Sequence, residues 1–134
     1  MAKQKVFISY DHSEDVIYKR LLAAWDANSN FEFEFDDRSP GTAINSTNAS
    51  VIKAALTTKI KAATHILVIV GAKTYTSDWV TWEIDRAKQS DASLKLVAIK
   101  LDKSYTTPPG LLGANTSWAM SFNHASIIKA LNDA

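Results

Sequence analysis

His65-Ile66-Leu67-Val68-Ile69-Val70 is the most apolar run in the chain. Nothing after His65 in it is polar, and Gly71 stops it. A short run without alternation suits a strand covered on both faces, as in the middle of a parallel sheet. That assignment decides the fold. Parallel strands must be joined by crossovers, usually helical, so helices are expected on both sides of the run.

The flanking sequence supplies them. Ile52, Leu56 and Ile60 form one helical stripe before the run. After it, a loop through Lys73-Thr74-Tyr75 leads to Ser77 or Asp78, either of which suits a helix start. The helix that follows carries Trp79, Trp82, Glu83 and Ala87. Further upstream, Val6-Phe7-Ile8 reads as a buried strand ending at Ser9-Tyr10-Asp11. Ser13 is placed to cap a helix holding Ile17, Leu21, Ala24 and Trp25, which ends at Asn28-Ser29-Asn30. Phe31, Phe33 and Phe35 alternate with Glu32 and Glu34, the pattern of an edge strand with one wet face. The polar segment from Asp36 to Asn48, with Pro40-Gly41 inside it, reads as an exposed loop.

Towards the C-terminus, Leu94 to Leu101 is another buried strand. Pro108-Pro109-Gly110 is a break, Trp118 to Phe122 a short last strand, and Ile127, Ile128 and Leu131 mark a closing helix capped near Asn123. The order is β-α-β-α-β-α-β followed by β-α. It predicts an α/β, flavodoxin-like three-layer sandwich with a central parallel sheet of about five strands in the order 2-1-3-4-5. Residues 1–134 read as a single domain, with no repeat and no low-complexity segment.

Composition narrows the function classes. Fifteen basic residues nearly balance fourteen acidic ones, so nothing draws the chain generally to nucleic acid or membrane. No stretch approaches the roughly 20 apolar residues of a membrane span, and the apolar run near the start is too short for a secretory leader. There is no cysteine, which excludes disulfides, thiolate metal sites and a cysteine nucleophile. A cytoplasmic location is the expectation. His12, His65 and His124 make no metal pattern, and no metal or resident cofactor is expected.

An open parallel sheet binds ligands beyond the carboxyl ends of its strands. Three loops meet there in the expected order: Ser9 to Ser13, Asp36 to Thr47 and Gly71 to Trp79. Several chemistries of this architecture lack their motifs. There is no Gly-Lys-Ser/Thr phosphate loop, no Gly-x-Gly-x-x-Gly and no Gly-x-Ser-x-Gly. The strand end Val70-Gly71-Ala72 has no aspartate for a phospho-receiver.

Three segments together resemble TIR domains. They are Phe7-Ile8-Ser9-Tyr10-Asp11-His12-Ser13-Glu14-Asp15, Asp36-Asp37-Arg38-Ser39-Pro40-Gly41, and Val68-Ile69-Val70-Gly71 followed by Tyr75, Ser77, Trp79 and Glu83-Ile84. The Val-Gly strand end and Trp79-Val80-x-Trp82-Glu83-Ile84 are most similar to the ThsB proteins of bacterial Thoeris anti-phage defence. The resemblance covers roughly residues 5 to 101. It implies cleavage of the nicotinamide–ribose bond of NAD+, used as substrate, and cyclisation of ADP-ribose into a signalling nucleotide. It also implies a phage-derived trigger and a separate effector that responds to the product. Glu83 takes the catalytic position in this comparison. Ser9, Tyr10, Asp11, Asp36, Arg38, Trp79 and Trp82 would line the substrate pocket. Val80 stands where the family's usual helix has a small residue or cysteine, which weighs against simple NAD hydrolysis.

The residues themselves leave alternatives open. Glu83 could be a surface glutamate paired weakly with Arg86. Trp79 could stack on a base or, like Trp82, belong to the core. Arg38 suits a pyrophosphate but could equally pair with Asp36 or Asp37. Ser9, Tyr10 and Asp11 could cap a turn or touch ligand. A TIR-like scaffold that works by self-association, with Glu83 incidental, is the competing account of the whole chain.

Overall fold

The computed structural model describes residues 4–11, 17–18, 20–21, 33–36 and 49–134. Its strands are β1 (Gln4–Ser9), β2 (Phe33–Asp36), β3 (His65–Val70), β4 (Lys95–Lys100) and β5 (Ser117–Ala119). They form one sheet in the order β2-β1-β3-β4-β5. Every pairing is parallel. The described helices are α1 (Ala49–Ala62), α2 (Asp78–Ala87) and α3 (His124–Asp133), and residues 17, 18, 20 and 21 are also helical. Sheet type and strand order are those expected from the sequence.

β3 is the axis of the sheet. All six of its residues are buried, which its unbroken apolar run permits. It pairs with β1 through Val6↔His65 to Ser9↔Val68, and with β4 through His65↔Lys95 to Val70↔Lys100. Alternation along the strands divides the core into two layers. Phe7, Ile66, Val68, Val70 and Ala98 face Leu56 and Ile60 of α1, and Val80, Ile84 and Ala87 of α2. Ile8, Leu67, Ile69, Val97 and Ile99 face Ile127, Ala130 and Leu131 of α3.

Helix ends follow the sequence chemistry. Ser77 caps α2 in an extended conformation, its hydroxyl accepting from the Val80 N–H at 3.3 Å. Asn123 caps α3 in the same way, Oδ1 accepting from the Ser126 N–H at 2.8 Å. Lys59 and Lys61 lie in the last turn of α1, where positive charge is favourable.

β1 and β4 differ from expectation by a residue or two at their ends, Gln4–Ser9 and Lys95–Lys100, and two later segments differ more. The last strand ends at Ala119, not Phe122. Beyond it the Asn123 N–H donates to the Ser121 carbonyl, so this segment forms the turn that caps α3. The break at Pro108-Pro109-Gly110 folds into one 3-10 turn, Pro109–Leu111, which docks on α2. The predicted first-helix cap at Ser13, the helix end at residues 28–30, Phe31 and the loop through 37–48 lie outside the described residues. β2 takes the predicted edge position.

Gly110 makes the docking of that turn possible. A Cβ there would stand 2.7 Å from Cγ2 of Ile84. Ile84 is fully buried and β-branched in a helix, so its side chain has little freedom to give way. Gly110→Ala is expected to cost about 1–3 kcal/mol, read from the denaturant midpoint. The penalty should shrink in an Ile84→Ala background; strictly additive effects would refute the contact as its cause.

Candidate active site

Glu83 lies on the face of α2 that packs against the sheet, beside Val80, Ile84 and Ala87. Its side chain is 0% exposed. Ser9, the last residue of β1, is also fully buried. The Ser9 hydroxyl donates to Oε1 of Glu83 at 2.7 Å. Oε2 has no hydrogen-bond partner among the described residues. The surface ion pair with Arg86 is thereby overturned. Arg86 instead holds Asp91 through two hydrogen bonds of 2.6 and 2.8 Å, just past the end of α2.

Burial decides the protonation of Glu83. Removal from water raises its pKa from 4.5 to about 8, and the Ser9 hydrogen bond opposes that rise. The carboxyl is therefore mostly neutral at neutral pH and ionises under modest perturbation. Such a group accepts a hydroxyl, releases a proton or stabilises a nearby cation, according to what reaches Oε2.

The loop ahead of α2 is fixed by Thr74, whose side chain is fully buried. Its hydroxyl accepts from the Gly71 N–H at 2.7 Å and donates to the Ile69 carbonyl at 3.1 Å. With the Ser77 cap, this bond sets where α2 begins after β3. Thr74 was not among the candidates read from sequence. A threonine three residues after a strand-ending glycine, ahead of a helix cap, is the signal that could have found it.

Trp79 and Trp82 lie one turn apart and meet edge to face, centroids 6.0 Å apart at 85°. Trp79 is 7% exposed and belongs to the core layer. Trp82 packs partly buried at its margin, with Lys53 Nζ 5.8 Å from its ring centroid. Lys53 also escaped sequence reading, since nothing local links it to Trp82.

Not all the expected pocket residues gather at Glu83. Ser9 touches it directly. Tyr10, next along the chain, turns to the opposite face and packs with Val6, Ile8 and Leu67, because side chains in extended backbone alternate. That placement separates Tyr10 from the Glu83 layer. Asp11 is half-buried just beyond β1. Asp36 ends β2 at the same edge of the sheet, although its side chain lies outside the described residues. Arg38 is outside them altogether. Grooves formed by described residues lie elsewhere. One is bounded by Lys88, Leu94, Leu96 and Asn115, another by Lys100, Thr107, Trp118 and Met120, and a third by Ile52, Ala55, Leu56 and Lys59. Among the described residues, no cluster of His, Asp or Glu could hold a metal ion, and no helix is long and apolar enough to cross a membrane.

The raised pKa couples Glu83 to stability. Between pH 4.5 and about 8 the folded chain retains a proton that the unfolded chain releases. The stabilisation linked to this proton is complete below the lower value and is lost as pH rises through the upper one. Against Glu83→Gln, the wild type should lose on the order of a few kcal/mol across that window, measured by urea unfolding at a series of pH values. Parallel pH profiles for the two proteins would contradict the burial argument.

No curated protein matches the chain. A family model does: the TIR-like domain of the Thoeris protein ThsB matches residues 7–106. The matched span runs from β1 through β4 and includes Ser9, the Thr74 turn, Trp79, Trp82 and Glu83. With a parallel α/β sheet in the order β2-β1-β3-β4-β5, the chain belongs to the TIR-like ThsB family of Thoeris defence proteins.

Proposed function

We propose that this Thoeris-related TIR protein cleaves the nicotinamide–ribose bond of NAD+ and cyclises the resulting ADP-ribose into a signalling nucleotide. The observation that carries the proposal is the Glu83 carboxyl. It is buried on α2, held on one oxygen by Ser9 and without a hydrogen-bond partner on the other among the described residues, near the carboxyl end of β1. This is the edge at which parallel α/β sheets take ligands.

The chemistry follows from charge. The nicotinamide ring of NAD+ is cationic, so its approach favours ionisation of Glu83. Breaking the ribose C1′–N bond sends the electron pair to the ring, which leaves neutral and needs no proton. Positive charge passes to an oxocarbenium-like ribose. An adjacent carboxylate, little screened in a dry site, stabilises that charge and can accept hydrogen bonds from the ribose hydroxyls. Attack at C1′ by a nucleophile of the same ADP-ribose closes a ring, whereas attack by water gives the open product. In either case the carboxylate is placed to take the proton lost by the nucleophile.

Glu83 exposes no surface in this state, so substrate contact requires its surroundings to open. That requirement suits an enzyme which is silent until a phage-derived trigger acts, and whose product activates a separate effector. The same burial also favours the competing reading, a TIR-like scaffold that self-associates without turnover.

Chromatography of small molecules from cells expressing the wild type or Glu83→Gln, with and without phage challenge, separates the two. Enzyme action predicts loss of NAD+ and a new ADP-ribose species on infection. Glu83→Gln should reduce both by about a hundredfold or more. Identical metabolite profiles from both folded proteins under phage challenge would remove the catalytic reading and leave the scaffold.

A further inference from the structure

We propose that Ser9 is a positioning residue for Glu83 and not a substrate contact: its hydroxyl holds Oε1, and Oε2 is left as the oxygen that meets the substrate. This rests on the NAD+ reading for the identity of the substrate, but the geometry of the pair stands apart from it.

Three observations carry the assignment. Ser9 is buried as deeply as Glu83, and its one hydroxyl proton is already committed to Oε1, whereas Oε2 is uncommitted among the described residues. Its hydrogen bond to Oε1 is short, at 2.7 Å, and joins residues 74 positions apart in the chain. The bond also runs between two rigid elements. Ser9 ends β1 and is registered against Val68 of β3, while Glu83 sits one turn into a helix whose start is fixed by Ser77 and Thr74. A catalytic group supported from such elements keeps its geometry better than one carried on loops.

The consequence is an asymmetric carboxyl. Oε1 is occupied, and Oε2 has no partner among the described residues. Among the described residues, burial and the Ser9 hydroxyl are the causes acting on the group, and neither is a charged side chain. Arg86, three residues along α2, is engaged by Asp91. Ser9 is thus the polar contact through which the protein tunes this carboxyl among the described residues. It favours the ionised form, in opposition to burial.

The test uses Ser9→Ala and Ser9→Cys in the full chain. Carbon-13 NMR follows the Glu83 carboxyl carbon, assigned by its loss in Glu83→Gln, through a pH titration of the free protein. The wild-type midpoint should lie at about 8. Ser9→Ala should move it to higher pH, and Ser9→Cys, with a weaker donor, should fall between. If Ser9→Ala does not fold, the nearly isosteric Ser9→Cys carries the measurement. A midpoint unchanged from wild type in the folded variant overturns the assignment. In phage-activated protein, kcat for NAD+ should fall about tenfold in Ser9→Ala with KM little changed. A raised KM at unchanged kcat would make Ser9 a substrate contact and overturn the proposal. Should wild type and Glu83→Gln prove equally inert, the NAD+ reading fails, and the titration alone decides the role of Ser9.

Discussion

The site depends on one carboxyl taken out of water. Glu83 is enclosed between α2 and the sheet, and a single described hydrogen bond, from Ser9, offsets its desolvation. An unpaired charge there would be costly, so the group holds its proton, with a pKa raised to about 8. Such an arrangement is hard to explain as a contribution to stability. An apolar side chain of similar volume would fill the space without that cost. Titratable groups perturbed by burial cluster at functional sites, and this one lies where the architecture places ligands.

The fold supports this burial from two directions. The layer holding Phe7, Val68, Val80 and Ile84 packs the helix face that carries Glu83 against the sheet. The Thr74 and Ser77 hydroxyls fix the path from β3 into α2 and so fix where Glu83 enters that layer. Packing supplies the desolvation, and hydrogen bonding at the strand end and helix start supplies the placement. The opposite layer, closed by α3, anchors the sheet and takes in Tyr10.

Much of this was legible in the sequence, because the informative patterns are local. An unbroken apolar run identified β3, a stripe at helical spacing identified α1, Ser77 or Asp78 offered a start for α2, and Asn123 marked the start of α3. Glu83 stood out through its motif, but its burial did not. Local spacing suggested Arg86 as a partner, whereas Arg86 finds Asp91 beyond the helix end, a contact set by the path of the turn. The resemblance put Tyr10 in the pocket with Ser9, although alternation sends neighbouring side chains to opposite layers. The contact between Ser9 and Glu83 spans two crossovers and could be seen only once the chain was folded. The strand read as running to Phe122 stops at Ala119 because the following residues are needed for the turn into α3.

The central claim is that Glu83 is sealed and carries a proton in the resting chain. The infrared difference spectrum between wild type and Glu83→Gln at neutral pH tests it most directly. The account predicts the C=O stretch of a protonated carboxyl in the wild type, absent from the variant and fading as pH rises through about 8. Carboxylate bands alone at neutral pH would show an ionised group in contact with water or a cation, and would contradict the account.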